Sequence, residues 1–258
     1  MLTRKRVLVA LAIAVVVGGI YLWFFGVQTG CALIARYNYR KVPEASMVPA
    51  PLSDSSISKM AHREVSYFGY EFELPWDDVD DQKSKTVGQI RVTAFHSGNA
   101  LWFSVFPPKD LLNEVMKTEA LDVARFQQLY GARASDSDYD FHQAMLEVTP
   151  SQIMPFVSKR RAVIDMTLLL VKTISMPPAD TGIFSIRTPD FEGFQFEGTD
   201  RRPRKLTVEL YSKDGGIDVI FFQKIDGSAH AISQPEINRV IQSIRKISTV
   251  MSDEKAQK

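Results

Sequence analysis

Four histidines, one cysteine and one dense run of carboxylates are the residues of this chain best suited by type to do chemistry. His62, His96, His142 and His230 are scattered. No two have the spacing of a helical metal site, and Cys31 is the only cysteine, so neither a zinc site nor an intramolecular disulfide is expected. Asp77, Asp78, Asp80 and Asp81 offer the oxygen ligands that Ca²⁺ prefers. The glycine turn and closing glutamate of a calcium loop are missing, however, and the run reads as a solvated hairpin loop. No Gly-x-Ser-x-Gly elbow, phosphate loop or dinucleotide fingerprint is present. No catalytic, metal or cofactor residue is assigned on these grounds, and an enzyme here would need a site assembled from dispersed residues. Two basic clusters, Lys159 to Arg161 and Arg201 to Lys205 around Pro203, read as a wet helix start and a wet turn, with anionic lipid headgroups as the alternative partner.

The elements that would carry any such site start with a membrane signal. Arg4, Lys5 and Arg6 close a basic segment, residues 1–6, and the run 7–27 that follows holds no charged residue. As one helix it is long enough to cross the roughly 30 Å hydrocarbon core of a bilayer. The basic flank orients the N-terminus to the cytoplasm and everything downstream to the outside. Tyr21, Trp23, Phe24 and Phe25 cluster at the outer end, where amphipathic rings settle among headgroups. The expectation is an uncleaved single-pass signal-anchor, with the lipid bilayer as the first partner. Thr29, Gly30 and Cys31 also resemble a bacterial lipoprotein cleavage site, with Gln28 departing from the Leu-like residue of that pattern, so lipidation of Cys31 is the competing reading. From Val7, the small residues Ala10, Ala14 and Gly18 repeat every fourth position on one helix face. Such a stripe lets two backbones approach, so a homodimer is an alternative to the expected monomer.

Residues 28–62 read as an extended linker, with Pro43, Pro49 and Pro51 interrupting any helix and several serines burying nothing. Residues 63–250 read as one folded α+β domain and 251–258 as a polar tail. Phe68, Tyr70, Phe72 and Leu74 alternate with Gly69, Glu71 and Glu73 as an opening strand that Pro75 ends. Ile90 to Ala94 and the apolar run 100–106 make a hairpin around Ser97, Gly98 and Asn99. Helical spacing follows in Leu111, Leu112, Val115 and Met116, in Leu121, Ala124 and Leu129 up to Gly131, from Asp138 to Glu147, and from Lys159 to Ile174. Thr149 or Ser151 stands as a cap between the last two. Strands return at Ile183 to Ile186, Gly193 to Glu197, Lys205 to Tyr211 and Ile217 to Gln223. Ser233 and Glu236 then have the spacing of a capping box, with Pro235 in the first turn and an apolar stripe of Ile237, Val240, Ile241, Ile244 and Ile247. The order predicts an antiparallel sheet packed with helices.

Phe72, Glu73, Leu74, Pro75 and Trp76 near the start, and Ile241, Gln242, Ser243, Ile244 and Arg245 at the end, resemble the PsbP fold over about Arg63 to Ser248. That resemblance implies a non-enzymatic accessory or binding domain. With 31 basic against 30 acidic residues the net charge of +1 gives no field that favours nucleic acid. The reading is a single-pass, membrane-anchored envelope protein, periplasmic if the cell is Gram-negative, whose outer domain binds an envelope partner. The competing class is a membrane-tethered hydrolase. A pocket with convergent titratable groups would favour the enzyme, and an apolar groove without them the binding module.

Overall fold

The structure, a computed structural model, describes residues 4–40, 48–49, 63–175, 182–197, 204–224 and 232–247; for 4–16, 20, 48–49, 175, 197 and 204 the description is of the backbone alone. A single long helix, α1, covers Arg4–Asn38. It runs on through Gln28 to Asn38, so the first part of the segment read as an extended linker is helical. Among the described residues no helix is long and apolar enough to cross a membrane.

The chain divides into two compact units, residues 1–45 with 109–180, and residues 46–108 with 181–258. The segment read as one domain is therefore interrupted, and its helical block groups with α1 instead. The reason is where the apolar faces go. Helices α2 (Asp110–Thr118), α3 (Val123–Tyr130), α4 (Asp138–Glu147) and α5 (Lys159–Ser175) form a core with α1. Ala32 and Ala35 of α1, Leu112, Phe126, Tyr130, Phe141, Met145 and Leu169 are all buried in it. Phe126, Tyr130 and Phe141 form a ring triad with centroids 4.6 to 5.6 Å apart. Asp122 and Ser137 cap α3 and α4 through their side chains, as small polar residues at that position should.

Two buried ionisable groups complete the helix ends of this unit. Helix α2 begins after Lys109, which has φ 60° and no side-chain cap. Its first N–H groups are met from another helix, because the Asp138 carboxylate accepts from Leu112 N at 3.0 Å. Burial pushes the Asp138 pKa up, although backbone N–H groups of α2 act in the opposite direction. Lys172, wholly buried, donates to Leu146 O and Val148 O, each at 2.8 Å. It thereby serves the C-terminal carbonyls of α4, where a cation also meets the favourable end of the helix dipole.

The second unit is a sheet structure. Its strands are β1 (Val48–Pro49), β2 (Arg63–Tyr67), β3 (Tyr70–Leu74), β4 (Val79–Val87), β5 (Ile90–Phe95), β6 (Ala100–Phe106), β7 (Ile183–Arg187), β8 (Glu192–Glu197), β9 (Arg204–Ser212), β10 (Gly215–Gln223) and β11 (Arg245–Lys246). Eight form one sheet in the order β1-β7-β8-β9-β10-β6-β5-β4, and three form another, β11-β3-β2. All pairs are antiparallel except β1 with β7. The fold is thus α+β, with antiparallel sheets packed against helices. Leu101 and Phe103, Leu206, Val208 and Leu210, and Ile217, Val219 and Phe221 alternate along β6, β9 and β10 and bury one face of the large sheet. Phe72 and Leu74 of β3 join that core, as do Ile237, Val240 and Ile241 of α6 (Gln234–Ser243).

Several details differ from the sequence reading. Phe68 is a turn residue, not a strand residue: it has φ 51° and Gly69 has φ 82°, the left-handed pair that a two-residue hairpin loop between β2 and β3 demands. Helix α6 ends at Ser243, so Ile244 caps its buried stripe, while Ile247 lies beyond it and is exposed. Asp80 and Asp81 belong to β4, and the Asp80 side chain is buried. Gly193 is enforced by close approach, since a Cβ there would collide with the carbonyl oxygen of Glu209 on β9.

Candidate functional site

The head of α6 is where the sheet unit opens a cleft of about 300 Å³. Its apolar walls are Leu206 of β9, Phe221 of β10, and Ile232 and Ile237 at the helix start; Gln223, Ser233 and Gln234 supply the polar groups. The sequence folds this way because Ser233 and Glu236 form a reciprocal capping box with Pro235 in the first turn, which fixes the entry angle of the chain. Glu236 is buried. Its Oε2 accepts from Ser233 N at 2.7 Å and from Ser233 Oγ at 2.8 Å, and its Oε1 accepts from Trp76 Nε1 at 3.0 Å. The Ser233 hydroxyl and its own backbone N–H thus share one carboxylate oxygen of Glu236, and that pair closes the helix cap.

Beside the cap runs a chain of neutral amides. Gln195 of β8 and Gln234 exchange hydrogen bonds of 2.9 and 3.0 Å, and Gln234 Nε2 also donates to Asn238 Oδ1 at 2.7 Å. Gln195 and Asn238 are buried. Further along the helix, Arg239 Nε donates to Glu73 Oε2 at 2.8 Å. The residues lining the cleft thus present apolar surface together with uncharged donors and acceptors. This amide chain leaves no mark in the sequence, because Gln195 stands 39 residues before Gln234 and the Gln234–Asn238 pair, one helical turn apart, belongs to no motif. The one legible signal was the capping box that places Gln234.

The acidic run is used locally. Asp78 Oδ2 accepts from Ser97 N at 2.9 Å, and Asp80 Oδ1 accepts from Gln82 N and Lys83 N at 3.2 Å. Lys83 Nζ stands 2.8 Å from Asp80 Oδ2, and the exposed His96 Nδ1 stands 3.7 Å away. The hydrogen bond from Lys83 holds the Asp80 carboxyl below its ordinary pKa. These contacts close a bulged β4–β5 hairpin whose register shifts between Asp80 and Lys85. His142 is buried on α4. His62 and His230 lie outside the described residues, as do Arg201 to Pro203. Among the described residues no group of three or more His, Cys, Asp or Glu side chains is placed to hold a metal ion.

The membrane and lipidation candidates all fall on α1. The side chains of Val7, Ala10 and Ala14 lie outside the described residues, and a Cβ added at Gly18 would meet nothing within 4 Å. Tyr21 packs on Phe25 one turn on, centroids 5.4 Å apart, and Trp23 is 86% exposed. Cys31 is half-buried against the helical core, and burial pushes its thiol pKa up, which lowers its reactivity.

No protein family, curated protein or solved structure matches this chain.

Proposed function

We propose that the chain is a membrane-tethered binding or accessory protein whose sheet unit holds its partner at the head of α6. The observation that carries this reading is the composition of the cleft: Leu206, Phe221, Ile232 and Ile237 as apolar walls, with Gln223, Ser233 and Gln234 as neutral polar groups. Such a surface suits an uncharged, partly apolar group of a partner, gripped by burial and oriented by amide hydrogen bonds. A resemblance to the PsbP fold would fit the same accessory role.

Tethering rests on α1. Its continuous helix carries the charge-free run 7–27 behind Arg4, Lys5 and Arg6, which argues for a single pass with the N-terminus in the cytoplasm and both units outside, in the cell envelope. The experiment is site-specific photocrosslinking in intact membranes of the full chain. A photoreactive residue at Gln223 should give a discrete adduct that is lost with Ile232→Lys and is not given by the same group at Thr86 on β4. No adduct at 223, or the same adduct from both positions, would refute the assignment of the cleft.

A further inference from the structure

The helical unit carries an exposed apolar loop at the end where α1 is richest in aromatic residues. Between the 3-10 turn at Pro150–Gln152 and α5, Ile153 is wholly buried, whereas Met154 is 50% and Phe156 is 76% exposed. The loop is therefore pinned by one apolar side chain and displays two others. Phe156 is not displayed at random. Its ring stands edge-on to Phe25, centroids 6.3 Å apart, at the level of the exposed Trp23 and Phe24. Directly after the loop, Lys159 and Arg160 are exposed, while Arg161 is held by Asp165 at 2.8 Å.

Helix α1 fixes the height of all these groups. It is one uninterrupted helix, and Ala32 and Ala35 bury it in the core of the same unit. From Phe25 to Ala32 the rise is only about 10 Å. If 7–27 spans the bilayer, the unit cannot lift away from the surface without unpacking α1. We infer that the loop 153–158 sits in the interfacial layer of that bilayer, with Met154 and Phe156 at the boundary between headgroups and acyl chains and Lys159 and Arg160 against lipid phosphates. This inference rests on the anchor reading above. The chemistry is that of an interfacial anchor: apolar area leaves water, rings settle at the headgroup level, and two cations meet an anionic surface.

The full chain carrying Cys31→Ala, with a single cysteine at position 156, 17 or 114, can be spin-labelled and reconstituted into vesicles of phosphatidylcholine and phosphatidylglycerol. Collision rates with oxygen, which concentrates in lipid, and with a water-soluble nickel chelate report depth. Position 17 tests the anchor, and Glu114, exposed on α2, serves as the aqueous reference. The expected result is an oxygen-to-nickel ratio at 156 several-fold above that at 114 and below that at 17. The ratio at 156 should fall toward the reference when Lys159→Gln and Arg160→Gln are added. If 17 lies in lipid but 156 matches 114, the loop inference is overturned and the anchor stands. If 17 itself lies in water, the anchor reading fails and the inference with it. A label at 156 shielded from both reagents and broadened by a second label would mean that another copy of the chain covers the loop, which also overturns it.

Discussion

Glu236 is the residue on which the head of α6 depends most, and its removal has two separable consequences. Glu236→Ala deletes the acceptor for Ser233 N, a loss of capping worth about 1 kcal/mol. It also leaves the buried Trp76 Nε1 without the oxygen that stands 3.0 Å from it, and a buried donor left unmet costs about 1–3 kcal/mol. Together the expected destabilisation is about 2–4 kcal/mol. In a Trp76→Phe background no donor is stranded, so the same change should cost only about 1 kcal/mol. The double-mutant cycle, read by urea denaturation with far-UV circular dichroism, should therefore give a coupling of about 1–3 kcal/mol. A coupling under about 0.5 kcal/mol, the size of ordinary non-additivity, would refute the view that the indole and the cap are one structural device.

Three further outcomes are expected. Ile244→Asp would place an unpaired charge at a position that is 3% exposed and should lower stability by about 3 kcal/mol or more; an unchanged urea midpoint would mean α6 does not dock as described. Gly193→Ala should destabilise the sheet by at least about 2 kcal/mol through the collision with the Glu209 carbonyl, seen as a lower melting temperature, and a normal melt would show that β8 and β9 can separate freely. Asp138 has a raised pKa in the folded state, so it takes up a proton more readily folded than unfolded. That stabilisation is complete below the ordinary aspartate pKa and is lost as pH rises through the raised value. Asp138→Asn keeps an oxygen for Leu112 N and removes the dependence, so the stability of the native protein relative to this variant should fall as pH rises through that window. A difference that stays flat with pH would contradict the assignment. Asp138→Ala removes the acceptor for Leu112 N as well, so it should cost about 1 kcal/mol more than Asp138→Asn, with the same dependence on pH.

Much of the local structure was legible because it rests on short-range physics. The capping box at Ser233 and Glu236, the helical spacing from Leu111 onward and the alternation of Tyr70, Phe72 and Leu74 each reflect interactions within a few residues. Strand β4 was missed for a physical reason. It is the outer strand of the large sheet, and Asp81, Gln82, Lys83 and Lys85 give it the polar character that protects an open edge, so its period is hidden. Phe68 misled because its side chain suits a strand while its backbone is bent into a turn. The division into two units was invisible for a different reason: the apolar faces of α2 to α5 say that they are buried but not against what. Asp138 and Lys172 were likewise unreadable, since each serves the end of a helix other than its own. The candidate cleft was legible only at its capping box. Its walls come from β9, β10 and α6, which meet through long-range pairing alone.

The nesting of the two units sets an order on the newly made chain. All the elements of the helical unit, from α1 to α5, have been synthesised before β7 exists, while the sheet unit waits for α6 and β11 near the far end. During that interval β1 and β4 to β6 are present without the other four strands of their sheet, and β2 and β3 without β11. Strand β6 has paired with β5, but its other side will be met only by β10, more than a hundred residues later. Where domains form as units during synthesis, the nascent protein passes through a stage with a finished helical unit and an open, strongly apolar sheet edge at Leu101 and Phe103. That edge, shielded in the finished fold, is where a chaperone would have to hold the chain and where mispairing between neighbouring nascent chains would begin.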